Sequence, residues 1–324
     1  MFAISVIICS HNPREDYLRR TLDGLKAQTL PLKDWELLLV DNASKEPLAK
    51  RFDLSWHPNA RHFREDKVGK THALLQGIVE FKGDLLIIVD DDNVLRPDYL
   101  QTSLKISADY PFLGAWGGSC VPEFEVEPAP EVRPFLYGLV IEKVHVSYWA
   151  KINTGGPAMP PGAGMVVRRE VLLYYREQVL KDPLRQALGR NGTRLDSGED
   201  TDMALCGFPL GLGTGRFPEL ELTHLIAARR LTMDYLEGIY EGFGYGNTVV
   251  AAVHDQLRHY PGQFRSSALK IFLLRIIMFL AGKSRAESRI KLAEERGRVA
   301  ARRDLERLGY YKTTIATNDD TRRN

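Results

Sequence analysis

Residues 85–92 read Leu-Leu-Ile-Ile-Val-Asp-Asp-Asp, and this octet constrains the chain more than any other stretch. Five consecutive apolar residues describe a strand buried on both faces, because a strand with one wet face alternates polar and apolar positions. Three carboxylates follow without a break. Like charges so crowded raise one another's pKa unless a cation or donors offset them, so packing does not account for them. The carboxyl ends of strands in an open α/β sheet are also where ligands bind. The octet therefore predicts a divalent-metal and phosphate site at the end of a central strand.

The flanking sequence has the rhythm such a sheet requires. Ile4–Cys9 is a β-branched strand, broken by Ser10-His11-Asn12-Pro13-Arg14, and Tyr17–Thr29 carries Leu18, Leu22 and Leu25 at helical spacing. A second strand, Trp35–Val40, ends in Asp41-Asn42-Ala43-Ser44. A strand–helix–strand period of roughly 30 residues is that of a right-handed βαβ unit. Further along, strands are predicted over 58–63, 113–121, 162–167 and 217–226, and helices over 69–81, 97–107, 170–179 and 232–242. Phe243-Gly244-Tyr245-Gly246 reads as an interruption before another helix over 247–257. Trp116 and Trp149 fit sugar stacking or plain packing equally well. Tyr235, Tyr240, Phe243 and Tyr245 fall near helical spacing and read as core.

Charge divides the chain unevenly. Net charge is +2, but from Arg265 onward 15 Lys or Arg face 7 Asp or Glu, which leaves −6 for residues 1–264. The expected organisation is a catalytic domain over 1–264 and a basic helical extension over 265–324 with a disordered end. Residues 284–308 alternate Lys, Arg and Glu in the manner of a solvated helix. Residues 268–280 are apolar yet too short to span a bilayer. With Lys270, Arg275, Lys283 and Arg285, the stretch 268–285 fits a peripheral membrane contact, and equally a helix packed on the domain or in a homodimer. Cys9, Cys120 and Cys206 are far apart, which argues against a disulfide framework or thiolate zinc site and for a reducing compartment. The first nine residues read as a strand and not as a signal peptide. The expected location is cytoplasmic, with or without attachment to the cytoplasmic membrane face.

Two further acidic groups join the octet: Asp41 at a strand end, which could equally be turn chemistry, and Glu199-Asp200 at a predicted helix start. Alternating Asp90 and Asp92 suit Mg2+ or Mn2+ shared with substrate phosphates. Val68-Gly69-Lys70-Thr71 ends like a phosphate-cradling loop, but Arg64 stands where its first glycine would be, and no Gly-x-Gly-x-x-Gly follows the first strand. Together, Val6–Asn12, Leu39–Ser44, Gly83–Asp92, Gly162-Ala163-Gly164-Met165, Gly198-Glu199-Asp200 and His224 resemble the family 2 glycosyltransferases over roughly residues 3–250. The resemblance implies the A-type nucleotide-sugar transferase fold, a Rossmann-like, mainly parallel α/β sheet flanked by helices. It places Ser10, His11 and Asn12 near the nucleotide and Asp41 on the base, normally uracil. Asp90, Asp91 and Asp92 match the Asp-x-Asp motif, Asp91 in its variable middle place and Asp92 as metal ligand. Lys67 and Lys70 would lie near the donor phosphates. Glu199 and Asp200 match the Glu-Asp pair, with Asp200 as catalytic base, and His224 matches a position that helps hold metal or diphosphate. His11 departs from the more common Tyr.

The reaction so implied is metal-dependent, inverting transfer from a nucleotide-sugar, a UDP-sugar first, to a glycan or lipid-linked acceptor. A metal-dependent nucleotidyltransferase would use the same paired carboxylates but wants a glycine-rich basic loop after the first strand. A nucleic-acid-binding module would use the basic tail. The glutamates interleaved in that tail and the acidic body argue against nucleic acid as a partner.

Overall fold

The computed structural model describes residues 2–151, 156–192, 195–254, 277–278, 282 and 284–310. The chain opens with strand β1 (Ile4–Ser10), helix α1 (Glu15–Lys26), β2 (Trp35–Asn42), β3 (Ala60–Glu65), α2 (Lys70–Glu80) and β4 (Leu85–Val89). Strands β1 to β4 are mutually parallel in the order β3-β2-β1-β4. Each of β1, β2 and β4 is apolar along almost its whole length because helices cover both faces of the sheet. Leu18, Leu22 and Leu25 of α1 pack on one face with Val6 and Leu37. Leu74 and Ile78 of α2 pack on the other with Ile7 and Leu38.

The second part of the sheet is mixed. It adds β5 (Asn93–Leu95), helix α3 (Tyr99–Asp109), β6 (Leu113–Phe124), β7 (Tyr148–Ala150) and β8 (Val166–Arg168). Helices α4 (Arg169–Lys181), α5 (Pro183–Gln186) and α6 (Glu199–Leu205) follow, then β9 (Gly213–Ile226), α7 (Met233–Val253) and α8 (Arg285–Arg307). β8 runs antiparallel between β4 and β6, β9 is parallel to β6, and β5 and β7 each pair antiparallel with β9. The architecture is a mainly parallel sheet flanked by helices with a helical C-terminal extension.

Two expectations need correction. Phe243–Gly246 does not interrupt a helix: α7 runs unbroken through it. Its glycines are close-approach residues, since a β-carbon on Gly242 or Gly246 would collide with the backbone of Leu195 or Ser197, and one on Gly244 with the Glu294 carbonyl oxygen of α8. Nor is α8 solvated all round. Ala293, Gly297, Ala301 and Leu305 form a buried stripe against α7, and the outer charges pair across the two helices. Arg289 reaches Asp234 and Glu237, and Arg296 reaches Glu237 and Glu241. Most of 268–285, where membrane or dimer contact is expected, lies outside the described residues, as does 311–324. No described helix is long and apolar enough to cross a membrane.

Candidate functional site

The chain leaves β1 toward β2 on one side and later returns as β4 on the other. This reversal of strand order opens a crevice at the carboxyl ends of the two strands. Ser10–Arg14 and Asp90–Asp92 leave those ends, and between them lies a cleft of about 430 Å³. It gathers Ser10, His11, Asn12, Lys70 and the three aspartates with Glu199, Asp200 and His224. Asp41 and Lys67 do not line it. The Asp41 carboxylate accepts from the backbone N–H of Ser44 (2.9 Å) and Leu48 (3.1 Å) and from Arg64 (2.8 Å), and it is buried. Those contacts outweigh burial and hold it below the usual carboxylate range. Lys67 is exposed; its amide N–H donates to Glu65. Trp116 is buried, Trp149 is exposed against Phe112, and neither lines the cleft.

Each aspartate has its own partner. Asp90 Oδ1 lies 2.9 Å from Lys70 Nζ, which also stands 3.4 Å from Glu199 Oε1. Burial would raise Asp90, but the Lys70 ammonium outweighs it and holds the carboxyl below its ordinary value. Glu199 is pushed up by burial despite Lys70. Lys70 is thus a clasp between the strand end and the start of α6. Asp91 accepts from the Ser10 hydroxyl, and burial together with Asp92 raises it to about 6.

Asp92 is bound most tightly. Its Oδ2 lies 2.6 Å from Arg230 Nη1 and 3.5 Å from His224 Nε2, and Asn93 Nδ2 donates to Oδ1 at 3.1 Å. The same Arg230 nitrogen is 3.1 Å from His224 Nε2. Burial works to raise Asp92, yet His224 and Arg230 more than offset it and hold the carboxyl far below its usual range. β9 delivers His224 opposite Asn93 of β5, and the turn after β9 delivers Arg230. A carboxylate oxygen and an imidazole nitrogen converging on one cationic nitrogen are a donor set that also suits a divalent ion completed by phosphate and water.

Asp200 lies in the first turn of α6 and lines the same cleft. Its Oδ2 accepts from the Gly162 N–H (2.9 Å) and its Oδ1 from the Thr201 N–H (2.7 Å). A β-carbon on Gly162 would stand 2.8 Å from that Oδ2, so the glycine makes room for the carboxylate. Tyr235, Ile239 and Phe243, one helical turn apart along α7, line the same cleft and form an apolar wall. Tyr245, by contrast, is core, and Tyr240 packs on Phe135 and Phe243. Neither Arg230 nor Arg190, which is exposed and also lines the cleft, stands out in the sequence as a site residue. The nearest signal is the position of Arg229-Arg230 a few residues past His224.

A second group, Asp202, Cys206 and His254, has ligand atoms within 4.8 Å of one another, close enough by spacing for a metal. A cation of the chain already stands there: Arg185 Nη1 is 2.5 Å from Asp202 Oδ1 and 3.7 Å from Cys206 Sγ. His254 Nε2 lies 2.7 Å from the same oxygen, and burial pushes the Cys206 thiol up to about 12. A neutral thiol beside a guanidinium makes a pin tying α5 and α6 to the end of α7, outside the cleft.

Comparison with known proteins gives a consistent set. The model for glycosyl transferase family 2 matches residues 5–172. A glucosyl-dolichyl phosphate glucuronosyltransferase of Haloferax volcanii is 27% identical over 135 residues, which are 40% of this chain and 42% of that protein. Glycosyltransferase GlyA of Streptococcus pneumoniae serotype 4 is 28% identical over 110 residues, 33% of this chain and 15% of GlyA. The match thus spans less than half the length of either curated relative. Among solved structures, the mannosyltransferase PcManGT from Pyrobaculum calidifontis, in complex with GDP-Man and Mn2+, superposes with a TM-score of 0.52 at 19% identity. That likeness covers 93% of this chain and 87% of the other, and at such identity it is one of fold.

Proposed function

The chain belongs to glycosyl transferase family 2, and from that premise we propose that it moves a sugar from a nucleotide-sugar donor to an acceptor hydroxyl with inversion at the anomeric carbon. The observation that carries this reading is the gathering of two differently supported carboxylate sets in one cleft at the sheet's switch point. Asp92 and His224 supply oxygen and nitrogen donors. Asp200, which lines the same cleft, is held by two backbone N–H groups.

In this reading Asp200 accepts the proton of the acceptor hydroxyl as its oxygen bonds to C1, while the bond from C1 to the diphosphate breaks and the nucleoside diphosphate departs. Gly162 and Thr201 fix the base, so its position is set before the acceptor arrives. Lys70 joins Asp90 to Glu199 and so holds the donor side and the base side at one spacing. Asp92 and His224 would hold a divalent ion, which when bound neutralises charge growing on the leaving diphosphate. The Mn2+ named for PcManGT supports that assignment, and its GDP-Man puts guanosine beside uridine as a donor base to be tested. The Asp41 assignment to the base needs Arg64 and the Ser44 turn to release its carboxylate.

We extend the proposal to a glycan or lipid-linked acceptor met at the cytoplasmic membrane face. The apolar wall of Tyr235, Ile239 and Phe243 supports this, as does the dolichyl phosphate substrate in the name of the Haloferax relative. The test is Asp200→Asn, assayed for transfer and by thermal shift with UDP, GDP and their sugar conjugates plus Mn2+. Transfer should vanish while the nucleotide-induced shift persists. Normal turnover by the variant would remove Asp200 from its role.

A further inference from the structure

Arg230 occupies the point at which the oxygen of Asp92 and the ring nitrogen of His224 converge. One guanidinium nitrogen, Nη1, lies 2.6 Å from the first and 3.1 Å from the second, whereas the two acceptors are 3.5 Å apart. His224 Nε2 therefore stands within reach of both the guanidinium and the carboxylate. The other ring nitrogen, Nδ1, is buried without a partner among the described residues, and so is Arg230 Nε. The arginine is thus fixed by one end and left with a buried N–H unsatisfied, an arrangement that costs free energy unless another acceptor enters. It extends from the short turn Ala228–Arg230 between β9 and α7, so its guanidinium can swing on a long side chain while the strand and helix stay in place.

A divalent ion cannot take Asp92 and His224 as ligands with that guanidinium between them, since two cations would then be in contact. We propose that Arg230 serves as the resident cation of the donor-free site, yields Asp92 and His224 to the divalent ion, and then pairs its guanidinium with the donor's diphosphate. This rests on the transferase reading and adds to it a diphosphate ligand and an order of events: metal and nucleotide bind together, because each makes room for the other. A planar guanidinium suits two phosphate oxygens better than an ammonium does. Binding of either ligand then favours the other by the same factor, as linkage requires.

The test uses the full chain, with Mn2+ as the metal probe and UDP and GDP as nucleotide probes. Free Mn2+ is followed by electron paramagnetic resonance and nucleotide binding by calorimetry. Wild-type protein should bind Mn2+ weakly alone and at least tenfold more tightly with the nucleoside diphosphate it prefers. Arg230→Gln should bind Mn2+ alone at least tenfold more tightly than wild type and lose at least tenfold in diphosphate affinity at saturating Mn2+. Arg230→Lys should lie between on both measures, because the ammonium keeps the charge but lacks the planar fork that suits two phosphate oxygens, and it carries the test should the Gln variant fail to fold. If Mn2+ binds the variants no more tightly than wild type, or if diphosphate affinity is unchanged, the exchange is refuted and the transferase reading stands. If wild type binds nucleotide equally well in EDTA, the guanidinium is itself the permanent cation, and the exchange is again refuted. If neither nucleotide binds wild type with Mn2+ present, both readings fall.

Discussion

Replacing Lys70 by Met tests whether one ammonium holds the two sides of the cleft together. Its Nζ stands 2.9 Å from Asp90 and 3.4 Å from Glu199. At an effective dielectric of about 20 those separations are worth roughly 6 and 5 kcal/mol of gross attraction. Most of that offsets the cost of taking three charges out of water. Removing one partner of a fully buried pair typically costs about 3–5 kcal/mol. Here the side chains are 21% (Lys70), 32% (Asp90) and 6% (Glu199) exposed, so Asp90 keeps partial solvation. The expected loss is about 2–3 kcal/mol at pH 8, below the range for a fully buried pair.

The sign of the pH dependence follows from the two carboxyls. Asp90, held low by Lys70, contributes stability above its ordinary pKa that disappears as pH falls through its depressed one. Glu199, raised by burial, costs stability as pH rises through its raised pKa. Removing Lys70 takes away the charge that holds Asp90 down and opposes the rise of Glu199, so the variant's deficit should be greatest at pH 8 and smaller at pH 5. Urea unfolding followed by circular dichroism at the two pH values measures it. A deficit under about 1 kcal/mol at pH 8, or an equal deficit at both values, would refute the clasp.

Two further outcomes follow from single contacts. Gly162→Ala places a carbon 2.8 Å from Asp200 Oδ2. Displacing the proposed base by a fraction of an ångström should lower kcat at least tenfold with donor KM nearly unchanged, and an unaltered kcat would show that the position of Asp200 is not critical. Arg185→Met leaves Asp202 buried beside a neutral thiol and should cost about 3–5 kcal/mol. Wild-type melting should be indifferent to EDTA, and a chelator-induced drop with zinc released would show that the Asp202–Cys206–His254 group holds a metal after all.

The parts of the fold that sequence made legible are those where burial is uniform. β1, β2 and β4 are covered on both faces, so their apolar runs need no context to be read. What sequence hid depends on a partner. β5 and β7 have three residues each and exist as strands because β9 lies beside them. The glycines of α7 look like helix breakers until the backbones of Leu195, Ser197 and Glu294 are seen pressed against them. The charges of α8 read as solvated, yet Arg289 and Arg296 pair with the acids of α7 while Ala293, Gly297 and Ala301 turn inward.

The site divides along the same line. Carboxylates at strand ends announce themselves, because an acid after five buried apolar residues has no packing reason to be there. Cations do not, because an arginine in a polar turn looks alike whether it is solvated or sealed in. Arg230 is buried against Asp92, whereas its neighbour Arg229 is exposed, and the dipeptide holds nothing to tell them apart. Lys70 teaches the same from the other side: the family resemblance puts it near the donor phosphates, and the fold adds that it lines the cleft between Asp90 and Glu199, a pairing that no motif announces. An acidic site written into one strand end is thus neutralised by cations from α2 and the β9–α7 turn, elements that reach it only once the sheet has closed. The carboxylates set where the cleft can hold charge. The cations, whose partners are legible only in three dimensions, set which of those charges are free to meet a ligand.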